Sequence, residues 1–223
     1  LEIKYSKKKE EMRHDPVIET IVKARAYVVE NSSTLLSAVI ILLLVFAGFS
    51  AYSYVKKSGQ RRAAEAFGKA MIAFSGQDRA AAVEALSLVA DKHRSTPQAA
   101  YAAYLLGHLY MAQQDFSEAI TWLEVAAGHA KAGFIGGEAL EALAMCYEAT
   151  GDKERSLEYL QKALKNKEVT FRIPALRWKA ALACRSLGRN DESRGYCEQI
   201  LSDTLAVQYR QKAQNLLAEI TAL

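Results

Sequence analysis

The side chains of this 223-residue chain that could carry chemistry are few and scattered. Four histidines, His14, His93, His108 and His129, have no partners at metal-ligand spacing, and no His-Glu-x-x-His run occurs. Three cysteines, Cys146, Cys184 and Cys197, are an odd number for a disulfide framework and match no zinc spacing. They read as small buried hydrophobes on helices. A Cys184–Cys197 bridge across a helical hairpin stays open, although it needs Cα atoms within about 7 Å where packed helices lie about 8–10 Å apart. Gly133, Gly136 and Gly137 fall between helices, where helix termination accounts for them better than phosphate binding. Glu138, Glu141 and Glu148 share one helix face and read as a solvated acidic surface rather than a paired-carboxylate site. No enzyme activity, cofactor or metal is expected. What remains is recognition. Tyr101, Tyr104, Leu105, His108 and Met111 form one set; Glu138, Glu141, Met145 and Glu148 a second; Trp178, Lys179, Leu182 and Arg185 a third. Aromatics, Met and Leu ringed by charge suit extended or non-native protein segments.

Those sets must be positioned by helices. Gly76-Gln77-Asp78, Gln114-Asp115, Gly151-Asp152 and Gly188-Arg189-Asn190-Asp191 recur with first residues 38, 37 and 37 apart. Each mark separates two helical stretches, and self-similarity at 20–50 residues signals a solenoid. A lone hairpin cannot bury its apolar face, so stacked neighbours and a terminal cap are needed. The segment 204–223, with Leu205, Tyr209, Leu216, Leu217 and Ile220, is the expected cap. Only three prolines, with abundant Ala, Leu, Glu, Lys, Arg and Gln, also argue for an all-α chain. The predicted architecture is a single transmembrane helix followed by an α-solenoid of about four helix pairs plus a C-terminal capping helix.

The transmembrane expectation rests on the charge-free stretch from Asn31 to Val55, in which eleven of the fifteen residues Leu35 to Phe49 are Leu, Ile, Val or Phe. As a helix it spans about 37 Å, more than the roughly 30 Å bilayer core. Those eleven residues favour insertion by roughly 3–7 kcal/mol. More than thirty residues, six of them acidic, precede the apolar run, unlike the short basic leader of a signal peptide. Residues 1–14 read as a charged tail whose Lys7, Lys8 and Lys9 could meet anionic lipid. Asp15-Pro16 starts a helix over 15–32, with Ile18, Ile21, Val22, Val28 and Val29 on one side. An interfacial amphipathic helix and a packing helix in the cytosol fit that stripe equally well. Ser32, Ser33 and Thr34 offer caps for the membrane helix, 33–56, and the solenoid occupies 58–223. Ser37, Ala38, Ala47, Gly48 and Ala51 would let another membrane helix approach closely. The chain opens on Leu1, so a few residues are expected to precede it. After Val55 it carries 22 basic and 19 acidic residues, a balance unlike that of a nucleic-acid binder.

The segment Ala100 to Ala127 resembles a tetratricopeptide repeat: Leu106-Gly107, Tyr110, Ala119 and Ala126 stand at that repeat's Leu-Gly, Tyr and small positions. Gly137 to Asn166 supplies Leu143-Ala144, Tyr147, Gly151, Leu160 and Ala163 for a further unit. The unit from Pro174 supplies Ala180-Ala181, Gly188 and Ile200, with Cys184 and Cys197 replacing aromatics. Residues 62–97 are the most degenerate, keeping chiefly Gly76, Ala81, Ala85 and Pro97. In such a solenoid the first helix of each pair lines the concave face, which is where the three sets above fall. Repeats of this kind that clamp the C-terminal carboxylate of cytosolic heat-shock chaperones use Lys and Asn at positions held here by Tyr104, His108, Ala142, Ala175 and Lys179; only Lys179 matches.

One anchor near the N-terminus, a Tyr-containing exit (Tyr52, Tyr54) and about 160 residues of degenerate repeats are similar to the YfgM-like ancillary subunits of the bacterial SecYEG translocon. The resemblance implies an inner-membrane protein with a cytoplasmic N-terminus and a periplasmic domain. It implies as partners translocon subunits, periplasmic chaperones and non-native secreted clients, with a chaperone, holdase or adaptor role. The flanking charges point the other way: Arg13, Lys23 and Arg25 precede the anchor, and Lys56, Lys57, Arg61, Arg62 and Lys69 follow it. Long domains, however, translocate largely regardless of charge. A structural subunit bracing a larger membrane complex through the same solenoid is the alternative.

Overall fold

The first helices of the second, third and fourth repeats end in the same local chemistry. Gln114, Gly151 and Gly188 adopt positive φ angles of 63°, 86° and 75°. Beyond them, the N–H groups of Asp115, Asp152 and Arg189 donate back to the carbonyls of Tyr110, Tyr147 and Cys184 at 3.0, 2.8 and 2.9 Å. This is a Schellman closure, in which a left-handed residue satisfies the last carbonyls of a helix. The next helix starts at once. Asp78, Asp115 and Asp152 each accept a bond from the backbone N–H three residues on, at 3.0, 3.2 and 3.1 Å. Arg189 takes that place in the last pair and caps nothing with its side chain.

The computed structural model describes residues 16–76, 78–129 and 133–222. The tail 1–14 with Lys7, Lys8, Lys9 and His14, the Asp15 cap and Gln77 lie outside them. The described residues form α1 (Pro16–Glu30), α2 (Ser32–Ser75), α3 (Arg79–Lys92), α4 (Pro97–Met111), α5 (Phe116–Gly128), α6 (Phe134–Ala149) and α7 (Lys153–Leu164). A 3₁₀ segment, Lys167–Arg172, precedes α8 (Ile173–Ser186), α9 (Asn190–Ser202) and α10 (Val207–Thr221). No strand occurs among the described residues. The chain divides into two compact units, Leu1–Ser58 and Gly59–Leu223.

In the first unit, Asn31 alone separates two helices, and its side-chain amide donates to the Tyr27 carbonyl at 3.0 Å. Ser32, Ser33 and Thr34 do not cap from outside: they are already helical, and the Leu35 N–H bonds to the Asn31 carbonyl at 2.9 Å. The helix does not stop near Lys56 either, but continues unbroken through 44 residues to Ser75. The stretch 56–62 is mostly Lys, Arg and Gln, which are good helix formers; Ser58 and Gly59 do not break it. Within α2 lies a window long and apolar enough to cross a membrane, none of it buried.

In the second unit the end of α2 pairs with α3, α4 with α5, α6 with α7 and α8 with α9; α10 closes the stack. From α3 onward successive helices pack on each other, α4 also touches α6 and α8 touches α10, and the end of α2 packs into the core cluster of α3 and α4. The core follows a 37-residue register. Ala70, Gly107, Ala144 and Ala181 are buried on first helices. Leu86, Leu123, Leu160 and Cys197 are buried on second helices. So are Ala82, Ala119, Ser156 and Ser193. In the first three pairs the small residue shares its core cluster with a Leu, and in the last Ala181 shares one with Cys197; small residues let helices approach closely while the Leu side chains keep the interior filled. A Cβ on Gly107 would lie 2.5 Å from Leu123 Cγ. Gly137 is equally close to Val169 of the 3₁₀ segment. The Gly133–Gly137 cluster therefore does not terminate a helix: Gly133 stands at the start of α6 with φ 51°, and Gly136 and Gly137 lie in its first turn.

Candidate functional site

The first helices present their free faces in columns one repeat apart. Tyr101 is 44% exposed, and its ring lies 6.2 Å edge-on from Phe67. Tyr104, Leu105 and Met111 are half-buried against the first core cluster. His108 is exposed, with its ring 4.5 Å from that of Tyr104. One repeat on from His108 stands Met145, 43% exposed, and one further Leu182, 44% exposed. Trp178 does not stand free: it packs against the cap, 6.5 Å from Tyr209. Arg185 is half-buried. Tyr101, His108, Met145 and Leu182 are thus the four members of the three expected sets, glutamates aside, that the fold leaves in solvent.

The acidic surface expected on α6 is a correction. Glu141 is 5% exposed. Its two carboxylate oxygens accept from Arg172 Nη2 at 2.5 Å and Lys179 Nζ at 2.7 Å. Glu138 is mostly buried beside them, with Arg172 Nε 3.8 Å from Oε1; only Glu148 is solvated. Burial alone would raise the Glu141 carboxyl, but the bonds and charges of Lys179 and Arg172 outweigh it and hold the group below the ordinary range. Burial wins at Glu138, whose carboxyl is raised despite Arg172. Burial, with Glu138 nearby, also raises the Tyr104 hydroxyl, and desolvation of the side of the ring that meets Tyr104 lowers His108 although its other side faces solvent. Charge therefore interrupts the aromatic column at the third repeat. Arg172 escaped the sequence reading because it lies in no periodic helix and 31 residues from its partner.

The three cysteines are free and buried. Burial pushes the Cys146 and Cys184 thiols up to about 11, so they stay protonated at neutral pH. Among the described residues no group of three His, Cys, Asp or Glu is placed to hold a metal ion. In the other unit, Ser37, Ala38, Ala47, Gly48 and Ala51 are all exposed on α2, and the Ser37 hydroxyl is taken by the Ser33 carbonyl at 2.8 Å.

A family model of the tetratricopeptide repeat-like domain matches residues 25–170. The chain belongs to that family. The match begins in α1, includes the apolar part of α2, and ends in the 3₁₀ segment; α8 and α9 extend it in the same 37-residue register and α10 follows as the cap. Among solved structures the chain is similar to MamA, at 17% identity and a TM-score of 0.52 over 72% of this chain and 86% of that one. A second MamA structure, from AMB-1, gives 18% and 0.51 over 71% and 80%. A Podosopora anserina protein described as a kinesin light chain with nearly identical TPR-like repeats gives 19% and 0.51, over 72% and 94%. At these identities the likeness shows the fold alone. No curated protein matches the chain. The tetratricopeptide fold is a protein-binding scaffold, and protein partners are what it provides for.

Proposed function

We propose that this chain is a single-span inner-membrane protein, similar to YfgM-like translocon subunits, whose repeat domain holds non-native segments of secreted proteins. The observation that carries the reading is the column of solvated soft side chains on the first-helix face, Tyr101 through Met145 to Leu182. Large aromatic, Met and Leu side chains left in water on a repeat scaffold offer area that adapts to varied partners. The family match supports joining this face to a membrane, because the matched domain includes the apolar part of α2 as well as the repeats. In this reading residues 15–32 lie at the interface, 33–56 cross the bilayer, and the tail 1–14 stays cytoplasmic. Ser37, Ala38, Ala47, Gly48 and Ala51 then face a translocon helix, and the solenoid is periplasmic.

The test replaces Tyr101, Met145 and Leu182 by Ser together. Each truncation at a true anchor point removes roughly 1–3 kcal/mol of binding, so suppression of aggregation of a denatured model protein should fall severalfold while helicity and membrane attachment persist. Undiminished suppression removes the groove mechanism. A stoichiometric complex that survives mild detergent extraction would then identify the bracing role.

A further inference from the structure

The same face ends in a cleft that the repeat pattern does not explain. It encloses about 770 Å³ between the 3₁₀ segment, the start of α8 and the α9–α10 turn. Arg172, Arg177 and Lys179 line it against two carboxylates, Glu141 and Asp203. Both carboxylates are already engaged. Glu141 takes Arg172 and Lys179, while Asp203 takes Arg177 Nη1 at 2.8 Å with one oxygen and the Leu205 N–H at 2.9 Å with the other. A guanidinium carries five N–H donors and an ammonium three, and each of these cations has a single hydrogen bond to a carboxylate. Arg172 Nε is buried without a hydrogen-bond partner. Glu138, whose Oε1 lies 3.8 Å from Arg172 Nε, is a third carboxylate behind the cleft wall, so what the three cations hold in surplus is N–H donors.

Its rim is apolar, and held so. Leu205 is 79% exposed in a turn fixed by Asp203, and the next residue, Ala206, is fully buried. Phe171 is 65% exposed and stacks on Phe134 with ring centroids 5.7 Å apart. Two large apolar side chains are thus held in water beside a donor-rich floor.

We propose that the cleft takes an internal segment of a partner polypeptide that combines an acidic side chain with apolar neighbours. A Glu or Asp carboxylate accepts from Arg172, Arg177 and Lys179, and flanking Leu- or Phe-type side chains cover Leu205 and Phe171. The unused N–H donors of the three cations select the acid, and the fixed apolar rim selects its neighbours. The proposal rests on the groove reading and gives its C-terminal end a sequence preference.

The test uses the full chain in lipid nanodiscs and a fluorescein-labelled twelve-residue peptide centred on Leu-Glu-Glu-Phe, amidated so that it has no terminal carboxylate. Fluorescence anisotropy should show saturable binding that weakens at least about tenfold when the two Glu are replaced by Lys. Leu205→Ser, at an exposed position whose backbone bonds it keeps, should weaken binding several-fold with an unchanged circular dichroism spectrum. Absence of binding, equal binding of the Lys peptide, indifference to Leu205→Ser, or binding only when the carboxyl terminus is free each overturns the proposal. If the peptide fails while the chain still suppresses aggregation, the cleft assignment alone falls. Loss of both removes the groove reading as well.

Discussion

At the scale of single residues, Glu141 shows how a repeat position can change its chemistry without changing its place. In the 37-residue register it stands where Phe67, Tyr104 and Trp178 stand in the other pairs. An aromatic there packs; a carboxylate there must be paired, since an unpaired buried charge is far more costly than an unpaired amide. Arg172 and Lys179 supply the pairing. The folded-state carboxyl is lowered, so its stabilisation is complete above the ordinary Glu value of about 4.3 and is lost as pH falls through the folded value. Glu138, whose carboxyl is raised, has the opposite sign: its ionised form is disfavoured by folding, and acid relieves it. Glu141→Gln should therefore destabilise the domain by about 1–3 kcal/mol at pH 7, and by progressively less as pH falls through the lowered folded value, where the parent loses the same charge. Glu138→Gln should be neutral or stabilising at pH 7. Urea titrations over a pH series from 7 downward check this, and a loss for Glu141→Gln that stays constant until the protein acid-denatures would refute the electrostatic account.

At the scale of elements, the sequence already showed what is local and periodic. Asp115 and Asp152 were visible as punctuation, and they are N-caps directly beyond Schellman closures. Gly107, Ala119 and Leu123 were readable as a small–small–bulky crossing, and the structure packs them so. What escaped is what depends on another element. The solvation expected of Glu141 failed because its cations arrive from the 3₁₀ segment and α8. Gly137 looked like a helix breaker because only the neighbouring Val169 reveals its closeness. The sequence leaves open whether the apolar helix runs on into the first repeat, because the change of composition at Lys56 alters solvation and not helix propensity; α2 runs on. The crossing offers a direct measurement. Gly107→Ala puts a methyl 2.5 Å from Leu123 Cγ, in a core where Leu123 is fully buried. The overpacking should cost about 1–3 kcal/mol, outweighing the helix-propensity gain of roughly 1 kcal/mol of Ala over Gly. Gly68→Ala, on a helix with nothing within 4 Å, should instead be neutral or stabilising. Thermal melts of the two variants compare packing with propensity; a Gly107→Ala protein as stable as the parent would show that the helices part at no cost.

At the scale of the whole molecule, the question is where the folding unit of the solenoid begins. Stability in a repeat array comes from intrinsic terms plus interfaces between neighbours, and an end without a covering helix exposes core. At the C-terminal end α10 buries Ala213, Leu216 and Ile220 and turns Gln211, Lys212, Gln214 and Asn215 to solvent, as a cap requires. At the other end the cover is the last part of α2. Ala70 is fully buried with Leu86, Val89 and Ala90, and Ala66, Phe67 and Phe74 pack against the same cluster. A fragment of residues 58–223 keeps that cover and should be a soluble, strongly helical monomer with one cooperative melt. A fragment of residues 78–223 removes it, leaves Leu86, Val89, Ala102 and Ala103 facing water, and should lose several kcal/mol at roughly 25 cal/mol per Å² of apolar surface. Circular dichroism and urea unfolding of the two fragments separate the possibilities. Equal stability would mean that the second half of α2 serves the anchor rather than the solenoid. An unfolded or pelleting 58–223 fragment would mean that the repeats need the apolar segment to fold, and that anchor and solenoid are one structure.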